Sequence, residues 1–300
     1  MPTAKSPVYR LNNGIEMPAL GLGVFRSEPG KTVSAVTSAV ADGYRLIDTA
    51  AAYMNEQQVG EGVRASGISR EEIFVTSKLW ISDYGYEKTF HAFDRSLRKL
   101  GLDFLDLYLL HWPVPSAFEA TVDSYKAAIK LLAEGRVRAI GVCNFRANDL
   151  DKLIEQTGHT PAVNQVELHP FFNQRELRKA DKTHGIITQA WSPIGGVKRS
   201  GAKASKEGTQ DPLLHPTVVL LAKKYRKTPT QIVLRWQIEL GTSPIPKSVR
   251  SERIAENIDI FDFAPTSEEV RAINALDTGE RGGPDPEQVN LQTFSITIQD

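Results

Sequence analysis

Four ionisable side chains, Asp48, Tyr53, Lys78 and His111, are of the types that together can deliver a proton to a carbonyl oxygen. A phenol has a pKa of about 10, too high for a good acid near neutrality. An ammonium beside it stabilises the phenolate and lowers that value. A carboxylate beside the ammonium keeps the lysine charged and oriented. A neutral imidazole can hydrogen-bond the carbonyl oxygen, and the positive charge and the donors stabilise the alkoxide that forms. Each residue also has a plainer reading. Asp48 could cap a helix, Tyr53 could be a core aromatic, Lys78 could be a surface lysine after the apolar run Ile73-Phe74-Val75, and His111 could be a core histidine with its hydrogen bonds satisfied. The choice between the two depends on the elements that carry them.

The chain alternates β-rich runs with amphipathic stretches. Eight runs read as strands, at 19–23, 45–48, 73–78, 105–111, 137–143, 162–167, 186–191 and 243–246. Most are dense in Leu, Ile and Val with little strict alternation, as parallel strands covered on both faces are. Helical spacing occupies 31–41, 87–100, 118–133, 148–156 and 174–184, then 216–226 and 230–240 before the last strand, 251–258 after it, and an additional helix at 266–275. Thr228-Pro229 marks one helix start and the Thr266/Glu269 capping box another. Asn12-Asn13-Gly14 reads as the turn of a small hairpin. Eight β/α units in 300 residues predict an α/β fold, a closed (β/α)8 TIM barrel, over an open doubly wound sheet. The open sheet would want a Gly-x-Gly-x-x-Gly loop, and Gly21-Leu22-Gly23-Val24-Phe25-Arg26 lacks the third glycine. The chain reads as a single domain, 1–300, with 276–300 as a C-terminal loop or tail over the surface. In a barrel, active-site residues sit at the C-terminal ends of the strands. Asp48, Lys78 and His111 close the second, third and fourth runs, and Tyr53 lies in the loop after the second.

Lys and Arg total 36 and so do Asp and Glu, so the net charge is 0. That gives no reason to expect nucleic acid or an anionic membrane surface as partner. The single cysteine, Cys143, allows no internal disulfide, which fits a reducing compartment. The first ten residues hold no apolar signal-like core, and no apolar run reaches the roughly 18 residues that span a bilayer. A cytoplasmic protein is expected. His91, His159, His184 and His215 show no metal-ligand spacing, and no metal is expected. His169 reads as structural, and Tyr84 with Lys88 as a chance match to a Tyr-x-x-x-Lys motif.

The constellation resembles the aldo-keto reductases over nearly the whole chain. The resemblance rests on Gly43-Tyr44-Arg45-Leu46-Ile47-Asp48-Thr49-Ala50 with Tyr53, on Leu105 to Pro113 with His111, on Gly141-Val142-Cys143-Asn144-Phe145, on Asn164 to Pro170, and on Ile245-Pro246-Lys247-Ser248 with Arg253, Glu256 and Asn257. It implies a barrel with an N-terminal hairpin and two extra helices, and reversible hydride transfer between NADP(H) and an aldehyde or ketone. It implies Tyr53 as general acid, Lys78 lowering its pKa, Asp48 pairing with Lys78, and His111 orienting the carbonyl. Asn144 and Gln165 would meet the nicotinamide carboxamide, and Trp191 would stack on its ring. Ser192, Pro193, Ile194, Gly195 and Gly196 would fold over the pyrophosphate. Lys247, Ser248 and Arg253 would hold an adenosine 2′-phosphate, favouring NADPH over NADH, Glu256 and Asn257 the adenine, and Val249 would line the same coenzyme site. Without the resemblance, Lys247 and Arg253 read as a solvated basic surface. Cys143 stands where the family usually has Ser, and its thiol is a weaker hydrogen-bond partner than a hydroxyl.

By the same resemblance Phe25, Trp80 and Trp112 wall a substrate pocket, though each could equally be ordinary core. The short stretch from Trp112 to Ala117 is similar to the compact bacterial members, including the 2,5-diketo-D-gluconate reductase group. It implies small aldehydes, ketoaldehydes or sugar-derived ketones as substrates, and a monomer. Two alternatives stand beside a working reductase: a non-catalytic NADP(H)-binding regulatory protein on the same barrel, and a Schiff-base aldolase using Lys78.

Overall fold

The computed structural model describes residues 5–195 and 211–299. Two antiparallel strands, β1 (Val8–Arg10) and β2 (Glu16–Pro18), form the expected hairpin around Asn12-Asn13-Gly14. Leu11 and Met17 are buried in one cluster with Leu46, Phe74, Leu107 and Val163, from the first halves of barrel strands. The hairpin therefore plugs the N-terminal end of the barrel and leaves the opposite end for chemistry.

Eight parallel strands follow: β3 (Leu22–Gly23), β4 (Leu46–Asp48), β5 (Phe74–Leu79), β6 (Leu105–Leu110), β7 (Val137–Cys143), β8 (Val163–Glu167), β9 (Ile187–Trp191) and β10 (Ser243–Pro244). Each pairs with the next in chain order, which excludes the open doubly wound sheet. Gly21 N–H donates to Pro244 O and Gly23 N–H to Pro246 O, both at 3.1 Å, and these bonds close the ring. Pro244 and Pro246 have no N–H and can only accept. The first and last strands are accordingly shorter than the runs 19–23 and 243–246.

The helices are α1 (Pro29–Ala41), α2 (Glu56–Ala65), α3 (Tyr86–Leu100), α4 (Phe118–Ala133), α5 (Ala147–Thr157), α6 (Arg175–Thr183), α7 (Pro216–Tyr225), α8 (Pro229–Glu239), α9 (Ser251–Ile258) and α10 (Ser267–Asn274). Two helices between β9 and β10, and α10 after α9, make the two extra ones. The Thr266/Glu269 capping box is present, and the helix start at Thr228-Pro229 carries one as well, Thr228 with Gln231. Helix α2 is absent from the sequence reading because Gly60 and Gly62 interrupt its pattern. Their role is packing: a Cβ on Gly60 would run into Leu100 O of α3, and one on Gly62 would meet Val36 of α1. Among the described residues no helix is long and apolar enough to cross a membrane.

Two observations correct or extend the sequence reading. The tail does not merely run over the surface: Val289 and Ile298 are buried in the main core. On α6, Asp181 is fully buried, accepting from Thr188 Oγ1 at 2.7 Å and Asn164 Nδ2 at 3.2 Å. Burial raises its pKa from 3.8 to about 6 against those two hydrogen bonds. Its contribution to stability is therefore complete below the unfolded pKa and lost as pH rises through about 6. Asp181→Asn is expected to stabilise the protein at pH about 8, by an amount on the order of 3 kcal/mol at most, and not at pH about 4. Thermal melts across that range check this, and a gain independent of pH would contradict it.

Candidate active site

Lys78 sits near the end of β5 with its ammonium fully buried at the centre of the site. Its Nζ donates to Asp48 Oδ1 at 2.6 Å, to Thr49 O at 2.9 Å and to Tyr53 Oη at 3.3 Å. Burial works to strip its proton, but Asp48 reverses that and holds the lysine above its ordinary pKa. Asp48 ends β4, and its second oxygen accepts from Gln165 Nε2 at 2.7 Å. Tyr53 ends a short 3₁₀ turn, Ala51–Tyr53, stopped by Met54 in the left-handed region (φ 55°). The loop is pinned by Asn55, which accepts from Thr49 Oγ1 at 2.7 Å and donates to Val24 O at 2.9 Å.

The Tyr53 phenol departs from the expected direction. Burial raises its pKa, Asp48 adds to the rise, and the pull of Lys78 does not overcome them. The charge of Lys78 is divided between the phenol and a carboxylate 2.6 Å away. The phenol thus keeps its proton through the neutral range.

His111 follows β6 and is buried, with its pKa pushed well below the ordinary value by burial and by the charge of Lys78. It is a neutral imidazole at neutral pH, and its Nδ1 has no hydrogen-bond partner among the described residues. Aromatic rings surround the pair. Phe25 lies 4.9 Å from the Tyr53 ring, Tyr53 and Trp80 approach His111 edge-on at 5.8 and 5.1 Å, and Trp112 stacks on it at 6.3 Å. Phe25 is half exposed, whereas Trp80 and Trp112 are buried. Phe294 of the tail packs on both tryptophans, and Trp80 Nε1 donates to Ile296 O at 2.8 Å.

On the other side of the barrel mouth, Asn144 follows β7 in the left-handed region (φ 66°), which asparagine tolerates. Its Oδ1 accepts from Trp191 Nε1 at 2.8 Å and its Nδ2 donates to His111 O at 3.0 Å, so its side chain is already engaged with protein. Gln165 spends Nε2 on Asp48 and on Gln189 Oε1, both at 2.7 Å. Among the described residues its Oε1 meets only the weak thiol donor of Cys143, at 3.8 Å, and so suits an amide N–H brought by a ligand. Ser192 (φ 48°) turns the chain after Trp191, Gly195 N–H closes the turn on Ser192 O at 2.9 Å, and Pro193 O is held by Gln237 Nε2 at 2.8 Å. Ile194 lies in that turn, and Gly196 lies outside the described residues. Across the barrel seam, Lys247 and Arg253 are exposed, and Ser248 and Val249 lie between them ahead of α9. Two cations, a hydroxyl and a helix start form a donor set that suits a phosphate. Glu256 is engaged by Thr228 Oγ1 at 2.7 Å, and Asn257 is buried beside it on α9.

Three residues of the site escape the sequence reading. Gln189 receives Gln165 and donates to Ser243 Oγ at 3.2 Å, fixing which way the Gln165 amide faces. A polar residue inside a buried strand run was the available signal, since such a group must find a partner. Glu167 anchors the tail, and Phe294 is carried by it; nothing local in the sequence places that tail over the barrel mouth.

A profile described as the Aldo/keto reductase family matches residues 19–278. The chain is 52% identical over 291 residues to a morphine 6-dehydrogenase of Pseudomonas putida, covering 97% of this chain and 98% of that one. It is 44% identical to a glyoxal reductase of Bacillus subtilis, covering 96% and 99%. A solved Bombyx mori aldo-keto reductase in complex with NADP is 36% identical, with a TM-score of 0.85 and 98% of each chain covered. With the barrel and its C-terminal-face constellation, these likenesses establish that this chain belongs to the aldo/keto reductase family.

Proposed function

We propose that this protein is an NADPH-dependent reductase of small aldehydes, ketoaldehydes and ketones, with Tyr53 as its proton donor. The observation that carries the reading is the Lys78 ammonium, 2.6 Å from Asp48 and 3.3 Å from the phenol of Tyr53, beside a neutral His111. Bound NADPH supplies the hydride. Tyr53 gives its proton to the carbonyl oxygen as negative charge develops there, and His111 hydrogen-bonds the same oxygen and orients it. Lys78 stabilises the phenolate left behind, and Asp48 keeps Lys78 charged and in place. A lysine so held is a poor nucleophile, which disfavours a Schiff base.

On the coenzyme side, the Oε1 of Gln165 receives the nicotinamide carboxamide, Asn144 adds the lone pair of Oδ1 that Trp191 Nε1 leaves open, and Trp191 stacks on the ring. The turn Ser192, Pro193, Ile194, Gly195 lies along the pyrophosphate. Lys247, Ser248 and Arg253 take the 2′-phosphate, Glu256 and Asn257 the adenine, and Val249 lines the same site. The Bacillus relative named a glyoxal reductase supports small dicarbonyls as substrates. Phe294 packed on both Trp80 and Trp112 beside His111 gives an apolar, aromatic surface to such a substrate. Arg253→Ala is expected to raise the KM for NADPH roughly tenfold or more, the worth of a charged hydrogen bond, and to leave that for NADH nearly unchanged. Steady-state kinetics with both coenzymes check this; equal effects on the two would contradict the 2′-phosphate assignment.

A further inference from the structure

Glu167 ends β8 directly opposite Trp191 at the end of β9. Its carboxylate is fully buried, and most of its partners come from the tail. Oε1 accepts from Gly282 N–H at 2.8 Å and from His169 Nε2 at 3.1 Å; Oε2 accepts from Gly283 N–H at 2.9 Å, with Arg281 Nη1 at 3.8 Å. A buried carboxylate is costly unless its oxygens are satisfied. Undocking the tail would remove two of its donors, so tail docking and the burial of this charge are energetically linked. Burial raises the pKa of Glu167, but His169 and the two glycine amides outweigh it, and the group is ionised.

The docked tail touches Trp191. A Cβ built on Gly283 would lie 2.5 Å from Trp191 Cη2 and 3.3 Å from Cζ3, so the backbone packs directly on the six-membered ring of the indole. At the other end of the indole, Nε1 donates to Asn144 Oδ1 at 2.8 Å. Two residues beyond Asn144, Arg146 pairs with Asp285 and Glu287 of the tail. The indole is thus gripped at both ends, by the loop after β7 and by a segment that Glu167 and Arg146 tie down.

We propose that Glu167 is a positioning residue for the reaction: through the backbone of Gly282 and Gly283 it seats the tail on Trp191 and so sets the platform for the nicotinamide ring. The inference rests on reading Trp191 as the stacking partner of the coenzyme. It makes the tail part of the coenzyme site, in addition to the wall that Phe294 gives the pocket.

The test is NADPH binding by quenching of tryptophan fluorescence, with steady-state kinetics and thermal melts, in wild type, Gly283→Ala, Glu167→Gln and Phe294→Ala. Gly283 does not occupy the left-handed region, so alanine is acceptable to its backbone; its Cβ presses on the Trp191 ring at 2.5 Å and on Glu167 Oε2 at 3.1 Å, the two contacts through which the tail is seated. Gly283→Ala is expected to raise the Kd for NADPH roughly 2–10-fold, the worth of a stacking contact, and to lower kcat by up to about a hundredfold, as small misplacements of a positioning group do, while the melting temperature stays near wild type. Glu167→Gln is expected to shift Kd and kcat in the same direction. Phe294→Ala is expected to raise the KM for the carbonyl with no change in the Kd for NADPH. A wild-type Kd in Gly283→Ala would overturn the proposal, as would a lowered melting temperature with unchanged Kd, which marks a purely structural latch. If wild type itself does not bind NADPH, the functional reading falls and this inference with it. If wild type binds and reduces carbonyls while Gly283→Ala is unaltered, this inference alone falls.

Discussion

Lys78→Met is expected to abolish turnover and to destabilise the fold by about 3–5 kcal/mol, the cost of stripping one partner from a buried ion pair. The substitution removes the donor to Asp48 Oδ1 and Thr49 O and leaves a buried carboxylate with Gln165 as its remaining partner. Adding Asp48→Asn removes that unpaired charge and is expected to recover most of the stability and none of the activity. Chemical denaturation of the two single variants and the double variant measures the coupling directly. A Lys78→Met protein as stable as wild type would mean that the pair is not buried as described.

Tyr53→Phe is expected to lower kcat by roughly 10²–10⁴-fold, the usual contribution of a positioned general acid. The coenzyme Kd and the melting temperature should change little, because the hydroxyl makes one long bond, to Lys78 at 3.3 Å. Single-turnover rates of NADPH oxidation give the effect on the chemical step. If Tyr53→Phe retains its rate while His111→Gln is dead, the proton donor is His111 and the mechanism proposed for Tyr53 is wrong.

The barrel was legible because its signals are local. Runs of Leu, Ile and Val with little alternation mark parallel strands, and Thr228-Pro229 and the Thr266/Glu269 capping box mark helix starts. Helix α2 was not, since Gly60 and Gly62 answer to Leu100 and Val36, neighbours distant in sequence. The residues at the strand ends were legible for the same reason the strands were: Asp48, Lys78 and His111 each close an apolar run. The direction of the Tyr53 shift was not, because it depends on how the charge of Lys78 is divided between two oxygens, a matter of distances. The engagement of Asn144 by Trp191, and the grip of Glu167 on the tail, join segments more than 40 and 110 residues apart, and no spacing rule reaches that far.

The central claim is that the site reduces carbonyls with NADPH. The most direct measurement is the loss of NADPH absorbance at near-neutral pH with methylglyoxal, glyoxal and keto sugars, in wild type beside Tyr53→Phe. Steady oxidation by wild type with at least one dicarbonyl is expected, and collapse of that rate in the variant. Tight binding of NADPH with no turnover of any carbonyl offered would contradict it, and would point instead to a regulatory protein that keeps the coenzyme site without the reaction.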